Sequence, residues 1–207
     1  IILGSSIGGI ETINYSYKQV FEEGHNRLHP LTIPKIMNNS ATSLISIEYQ
    51  IQGPSFTVSS ACSSANHAMG LAYETIKSRK SEVMITGGSE SFLSFGGIKP
   101  WESLRILSQS KCRPFSKGRD GLVHGEGAGI FVFESLESAK KRKATIIAEV
   151  VGFSMSSDAS DLIKPNNIGP KKALRGVLKD GKINKTEVSY INAHGTGTIF
   201  NDKVECE

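Results

Sequence analysis

Residues 55–80 constrain the fold of this chain more than any other stretch: Ser-Phe-Thr-Val-Ser-Ser-Ala-Cys-Ser-Ser-Ala-Asn-His-Ala-Met-Gly-Leu-Ala-Tyr-Glu-Thr-Ile-Lys-Ser-Arg-Lys. Gly53 and Pro54 open it, and Phe56, Thr57 and Val58 suit a strand. From Ala65 the apolar positions 65, 68, 69, 72 and 76 fall at helical spacing. Glu82-Val-Met-Ile-Thr-Gly-Gly88 then reads as a short buried strand ending in glycines. Strand, helix and strand make a βαβ unit, which favours a parallel sheet with a right-handed crossover and hence an α/β fold.

Cys62 sits at the joint between the first strand and the helix. A thiol there lies beside unpaired backbone N–H groups and the positive end of the helix dipole, which both favour the thiolate. Such helix-end electrostatics are worth roughly 1 to 2 kcal/mol in a partly buried site, or about one pKa unit. A thiol near pKa ~8.5 moves to about 7.5, and its thiolate share at neutral pH rises from a few per cent to tens of per cent. The competing reading makes Cys62 a small buried residue that fills the junction.

The remaining elements follow from spacing. Residues 1–9 read as a strand and glycine turn, without the G-x-G-x-x-G spacing of a dinucleotide fingerprint. Helices are expected over 11–23, 35–49, around 101–107, over 135–142, and over 170–180 with Gly181 as the stop. Further strands are expected over 130–133, 145–153 and 188–193. The glycine-dense run Arg119-Asp-Gly-Leu-Val-His-Gly-Glu-Gly-Ala-Gly129 lacks the Lys-Ser/Thr of a phosphate loop and precedes a strand, so it reads as structural. The chain opens on Ile-Ile-Leu-Gly without a Met, and Glu207 falls where a helix is expected to start; both ends read as cut.

Composition narrows the class. With 207 residues, 38% hydrophobic and 21% charged, the chain is an ordinary globular one of one substantial core or two small ones. The net charge of +4 is spread over small basic groups without interleaved aromatics, which argues against nucleic-acid binding but leaves room for an acidic protein partner. Three distant cysteines, Cys62, Cys112 and Cys206, make neither a disulfide framework nor a zinc site, and fit a reducing cytoplasm. No apolar run reaches the length of a membrane span, and no signal peptide is expected.

His194 follows the apolar segment Tyr-Ile-Asn-Ala and is set among glycines and threonines, in His194-Gly-Thr-Gly-Thr198. An imidazole at the carboxyl end of a strand is where open α/β sheets place ligands. Its titration range suits proton transfer or hydrogen-bond donation near neutral pH. Alone it reads as a satisfied strand-end histidine; with an activated cysteine, a Cys/His acyl-transfer or condensing site becomes the leading chemistry.

Six motifs in order carry a resemblance: Gly53-Pro-Ser55 with Ser60-Ala-Cys62-Ser-Ser-Ala65; Ile85-Thr-Gly-Gly-Ser-Glu90; Arg113-Pro-Phe-Ser; Arg119-Asp-Gly with Gly125-Glu-Gly-Ala-Gly129; Asn192-Ala-His-Gly-Thr-Gly-Thr198; and Asn201-Asp-Lys-Val-Glu205. Across essentially its whole length the chain resembles a β-ketoacyl synthase, the elongating condensing enzyme of fatty-acid and polyketide synthesis. Leu93-Ser-Phe-Gly-Gly-Ile-Lys-Pro-Trp101, Ala65-Asn-His-Ala and Asn201-Asp resemble the nodulation-type branch, which makes unusual unsaturated acyl chains.

The resemblance implies a thiolase-like layered αβαβα fold. Residues 1–144 would form most of its amino-terminal half, and 145–207 the start of its carboxyl-terminal half. It implies Cys62 as the nucleophile that accepts the acyl chain, and His194 as the first of two histidines that assist malonyl decarboxylation. Thr196 and Thr198 would hydrogen-bond the pantetheine arm, Ile7 would line the acyl pocket, and Glu205 would support a catalytic lysine. It implies acyl carrier protein as partner, a homodimer, and no metal or redox cofactor. The family's Lys-Ser-x-x-Gly-His motif and its glycine-rich gating loop are absent from these residues, so they are not expected to turn over alone. At Leu122-Val-His124 the family often has an aromatic and then an apolar residue, a difference expected to affect packing only. The rival readings are a non-catalytic, chain-length-setting partner subunit and a thiolase-type acyltransferase or hydrolase using the same thiolate, besides an inactive remnant of the enzyme. The retained Cys62 disfavours the partner subunit, whereas a thiolase would need a second cysteine as base.

Overall fold

The computed structural model describes residues 1–207. It divides into two compact units, the first made of residues 1–100 and 125–148 and the second of 101–124 and 149–207.

The first unit is built on a four-stranded sheet of order β2-β1-β3-β4. Its strands are β1 (Ile2–Gly4), β2 (Phe56–Val58), β3 (Val83–Glu90) and β4 (Gly127–Glu134). β1 is parallel to both β2 and β3, with Ile2 opposite Phe56 and Thr86, whereas β4 runs antiparallel to β3. The helix α4 (Ser64–Lys77) connects β2 to β3, so the expected βαβ crossover is present.

Alternation along β1 serves both faces of this sheet. Ile2 packs with Met84 against Ala68 and Ala72 of α4, and these four form the buried cluster on that face. Leu3, the next residue, is equally buried and lies beside Thr57 in the register. The Thr57 hydroxyl meets that of Thr42 at 3.5 Å on α3 (Ser40–Glu48), which covers the second face. Gly4 makes the α4 side possible, since a Cβ there would collide with the backbone of Ser64 and Ala65.

Other helices depart from the expected bounds for identifiable reasons. α1 (Ile10–Phe21) forms close to where periodicity puts it. The helix expected over 35–49 is two: α2 (Thr32–Ile36) ends where Met37 turns extended at ψ 139°, and α3 starts anew. α5 (Phe95–Ser103) begins earlier than expected and carries Pro100 inside it. α6 (Leu136–Lys141) is capped by Ser135, whose hydroxyl accepts the Ser138 N–H at 3.1 Å.

In the second unit α7 (Ile168–Gly181) packs against residues 152–158, where Gly152 faces Gly181 and Gly176 faces Ser154. Gly181 remains helical, and the left-handed stop residue is Lys182, at φ 52°. A short 3-10 turn (Lys185–Glu187) and α8 (Ile199–Cys206) follow, so the helix expected to start near Glu207 starts earlier, at Ile199. The strands expected over 145–153 and 188–193 are not formed, because no neighbouring strand supplies ladder hydrogen bonds to either segment. Their apolar residues stand in solvent, with Ile147 90% and Tyr190 80% exposed. No helix is long and apolar enough to cross a membrane.

Candidate active site

Cys62 lies in the first unit, on the turn from β2 to α4, and is exposed. This removes the reading of a small buried packing residue. The turn is tight: Ala61 holds φ 51°, in the left-handed region that residues with a Cβ seldom adopt. The N–H groups of Ser63 and Ser64 return to the carbonyls of Ser60 and Ala61 at 3.3 and 3.1 Å. These two donors are therefore spent on the turn, a correction to the expectation of unpaired N–H groups beside the thiol. What remains is the dipole of a 14-residue helix that starts two residues later.

Ile7, the other expected residue of this unit, is half-buried in the turn after β1. That turn lies beside the approach to Cys62: Ser5 N–H donates to the Val58 carbonyl at 3.1 Å, and Ser59 Oγ to the Ser6 carbonyl at 3.3 Å. Its other anchor is Glu90 at the end of β3, which accepts the Ser6 N–H at 2.7 Å and the hydroxyls of Ser5 and Ser6. A cavity of about 480 Å³ opens next to it, with Ser5, Gly8, Lys35, Glu90 and Glu126 in its wall. Glu126 in turn accepts the Leu93 N–H at 2.7 Å and the Ser91 hydroxyl at 3.0 Å.

His194, Thr196, Thr198 and Glu205 are brought together in the second unit. The Glu205 carboxylate accepts the N–H of His194 at 2.6 Å through one oxygen and that of Gly195 at 2.7 Å through the other. Asn201 adds a bond at 2.9 Å. The Thr196 and Thr198 hydroxyls meet at 2.8 Å, and Thr198 is the residue from which α8 starts. His194 itself is exposed. It follows no strand, so its position derives from Glu205 on α8 and not from a sheet edge.

Asp202, 1% exposed, is the residue that sequence reasoning missed. Its carboxylate accepts the Gly197 N–H at 3.1 Å and the Phe115 N–H at 2.7 Å, and stands 3.4 Å from Arg119 Nε. Arg119 also donates to the Thr198 carbonyl at 3.4 Å, so the segments 113–119 and 194–202 are tied to one another at both ends. The available signal was the acidic pair Asp202 and Glu205, whose three-residue spacing places both carboxylates on one face of a helix.

Around Arg113 the loop is held by Asp120, whose carboxylate takes the Arg113 guanidinium at 3.0 Å and the Ser108 hydroxyl at 2.6 Å. These bonds, the Ser108 one first, hold the Asp120 carboxyl below its ordinary value. No group of three or more His, Cys, Asp or Glu side chains is assembled as a metal site.

Two family profiles match the chain: "Beta-ketoacyl synthase, N-terminal domain" over residues 1–139, and "Beta-ketoacyl synthase, C-terminal domain" over 147–207. Nodulation protein E of Rhizobium leguminosarum bv. trifolii is 44% identical over 197 residues, 95% of this chain and 49% of that protein. The 3-oxoacyl-[acyl-carrier-protein] synthase 2 of Staphylococcus aureus is 38% identical over 207 residues, 97% of this chain and 51% of that protein. Among solved structures, a type II polyketide ketosynthase in complex with its acyl-carrier protein and bound to a hexaketide superposes with a TM-score of 0.91 at 28% identity. That match covers 99% of this chain and 54% of that one. The chain thus spans about half the length of the curated relatives it matches, and its fold is that of the thiolase-like ketosynthases. On the profiles, the identities and the superposition together, the chain belongs to the β-ketoacyl synthase family.

Proposed function

We propose that these residues supply the nucleophile and a hydrogen-bonding histidine of a β-ketoacyl-acyl carrier protein synthase, which extends an acyl thioester by decarboxylative Claisen condensation. The family is one of condensing acyltransferases; the particular roles below are our assignment. The Cys62 thiolate attacks the carbonyl of an acyl carrier thioester, the new C–S bond forms, and the carrier's thiolate leaves and takes up a proton. Malonyl carrier then loses carbon dioxide, and the electron pair of the broken C–C bond becomes an enolate. The enolate carbon attacks the Cys62 thioester, and Sγ departs.

In this reading the Cys62 N–H serves as an oxyanion donor, and His194 hydrogen-bonds the developing enolate oxygen. Thr196 and Thr198 take the pantetheine arm, Ile7 lines the acyl pocket, and Glu205 supports a catalytic lysine while holding the backbone of the His194 loop. Residues 1–144 and 145–207 act as portions of the two halves of the enzyme. The partners are acyl and malonyl carrier proteins and a second copy of the subunit, in the cytoplasm, with fatty-acid or related acyl chains as substrate and no cofactor. An acyl-carrier complex of a similar ketosynthase supports the carrier as partner, and three exposed, unbridged cysteines suit a reducing compartment.

The observation that carries the proposal is the exposed thiol of Cys62 on a left-handed turn ahead of α4. The full-length protein, mixed with acyl carrier thioester, is expected to gain one acyl mass on the peptide containing Cys62. Cys62→Ala should abolish the adduct; an adduct of undiminished yield in that variant sinks the assignment. His194→Ala should still be acylated but release carbon dioxide from malonyl carrier about 10²-fold more slowly or worse, the usual loss of a positioned proton-handling group.

A further inference from the structure

The strained turn that presents Cys62 is braced from within α4. A left-handed residue with a Cβ persists only where its surroundings over-determine it, and around Ala61 they do. Ser64 Oγ accepts the Ser60 N–H at 2.8 Å and donates to the Ala61 carbonyl at 2.6 Å. Ser63 Oγ donates to the Ser60 carbonyl at 2.7 Å. These bonds stay among residues 60–64 and shape the turn without fixing it to the rest of the helix.

The tie to the helix body is His67. Its Nδ1 lies 2.7 Å from Ser60 Oγ, across seven residues of sequence, and its N–H donates to the Ser63 carbonyl at 2.9 Å. The helix backbone at His67 is anchored in turn, because the adjacent Ala68 is fully buried against Ile2 and Met84. Ser60 stands two residues before Cys62, so a constraint on Ser60 is a constraint on the direction of the Cys62 side chain. We propose that Ser60 and His67 form a brace for the nucleophile turn, in which His67 is a positioning residue that acts through Ser60 on the Sγ of Cys62. The proposal rests on the reading of Cys62 as the nucleophile.

The test is the rate of Cys62 alkylation by iodoacetamide in the full-length protein, read peptide by peptide in a mass spectrometer across a range of pH. His67→Ala and Ser60→Ala are each expected to slow Cys62 roughly threefold to tenfold, the range set by one ordinary hydrogen bond, and to move its rate profile to higher pH. The double variant should be no slower than either single one, since the two residues act as one unit. His67→Asn, whose amide reaches the position of Nδ1, should restore most of the rate. Cys112 and Cys206, both exposed, are internal controls whose rates should not change.

Wild-type rates in either alanine variant overturn the brace. So does a slow His67→Ala beside an unaffected Ser60→Ala, which would make His67 act on the thiol directly. Failure of Asn to rescue, with equal thermal destabilisation in every variant, would reduce His67 to packing and also overturns it. Alkylation needs no carrier substrate, so its outcome is separable from acylation. A braced, fast-alkylating wild type that takes no acyl group would overturn the condensing role and leave the brace standing.

Discussion

Trp101 and His124 meet edge to face with ring centroids 4.6 Å apart. His124 belongs to Leu122-Val-His124, the tract whose difference from the family is expected to affect packing only, and its ring does pack. Packing an imidazole has a titration consequence that a Met or Leu would not. Burial lowers the His124 pKa below its ordinary value, so the fold prefers the neutral ring. Between that lowered pKa and the ordinary one near ~6.5, the unfolded chain binds more protons than the folded one, and stability rises with pH. The contribution is intact above the ordinary value and is lost as acid protonates the buried ring. His124→Leu should therefore narrow the gap in urea midpoint between about pH 7.5 and about pH 5.5. An unchanged gap would show that His124 titrates as a solvated histidine. Cys62 and His194 are legible in the sequence because a nucleophile and an imidazole announce their chemistry by type. Asp202 is not, because a buried carboxylate that holds backbone N–H groups has the same letter as one on the surface.

Elements were legible where local pattern and packing agree. α4 and β3 form where periodicity places them, since the small residues that give the helix its spacing are the ones that let it touch the sheet. α2 and α3 read as one helix because nothing in Met37-Asn-Asn39 breaks helical spacing; the break is a backbone choice at Met37. The close approach of α4 to β1 yields a sharper prediction. A Cβ on Gly4 would fall within contact of the Ser64 carbonyl carbon and the Ala65 nitrogen, which are backbone atoms and cannot swing aside. Gly4→Ala should therefore push the start of α4 away from the sheet and lower unfolding free energy by about 1–3 kcal/mol, the usual cost of overpacking. The same displacement should slow Cys62 alkylation, because Ser64 is part of its turn. Gly53→Ala is the control: nothing lies within 4 Å of a Cβ there, and its stability should stay within about 0.5 kcal/mol of wild type. Equal urea midpoints for the two variants would show that the sheet yields at no cost.

For the whole molecule, alternation of apolar residues records a demand for burial and not the means of meeting it. The segments 145–153 and 188–193 carry a strand pattern, yet Ile147, Tyr190 and Ile191 stand in solvent and neither segment is paired. A strand depends on an edge beside it, and no local rule supplies one. The second unit is organised instead by buried polar ties, and Asp202 is the centre of them. Its carboxylate holds Phe115, Gly197 and Arg119, all within that unit. Removing one partner of a buried ionic cluster costs about 3–5 kcal/mol, because the groups left behind are stranded. Asp202→Ala should thus raise amide hydrogen exchange at Phe115 and Gly197 by about 10²-fold or more, the local opening that such a loss implies. Amides of the β3–β4 ladder, none of which bonds to Asp202, should exchange at wild-type rates. Asp202→Asn, which keeps a single acceptor oxygen, should fall between the two. If exchange rises equally in the ladder, Asp202 supports the stability of the entire chain; if it rises nowhere, the loop that carries His194 is held by Glu205 and Arg119 without it.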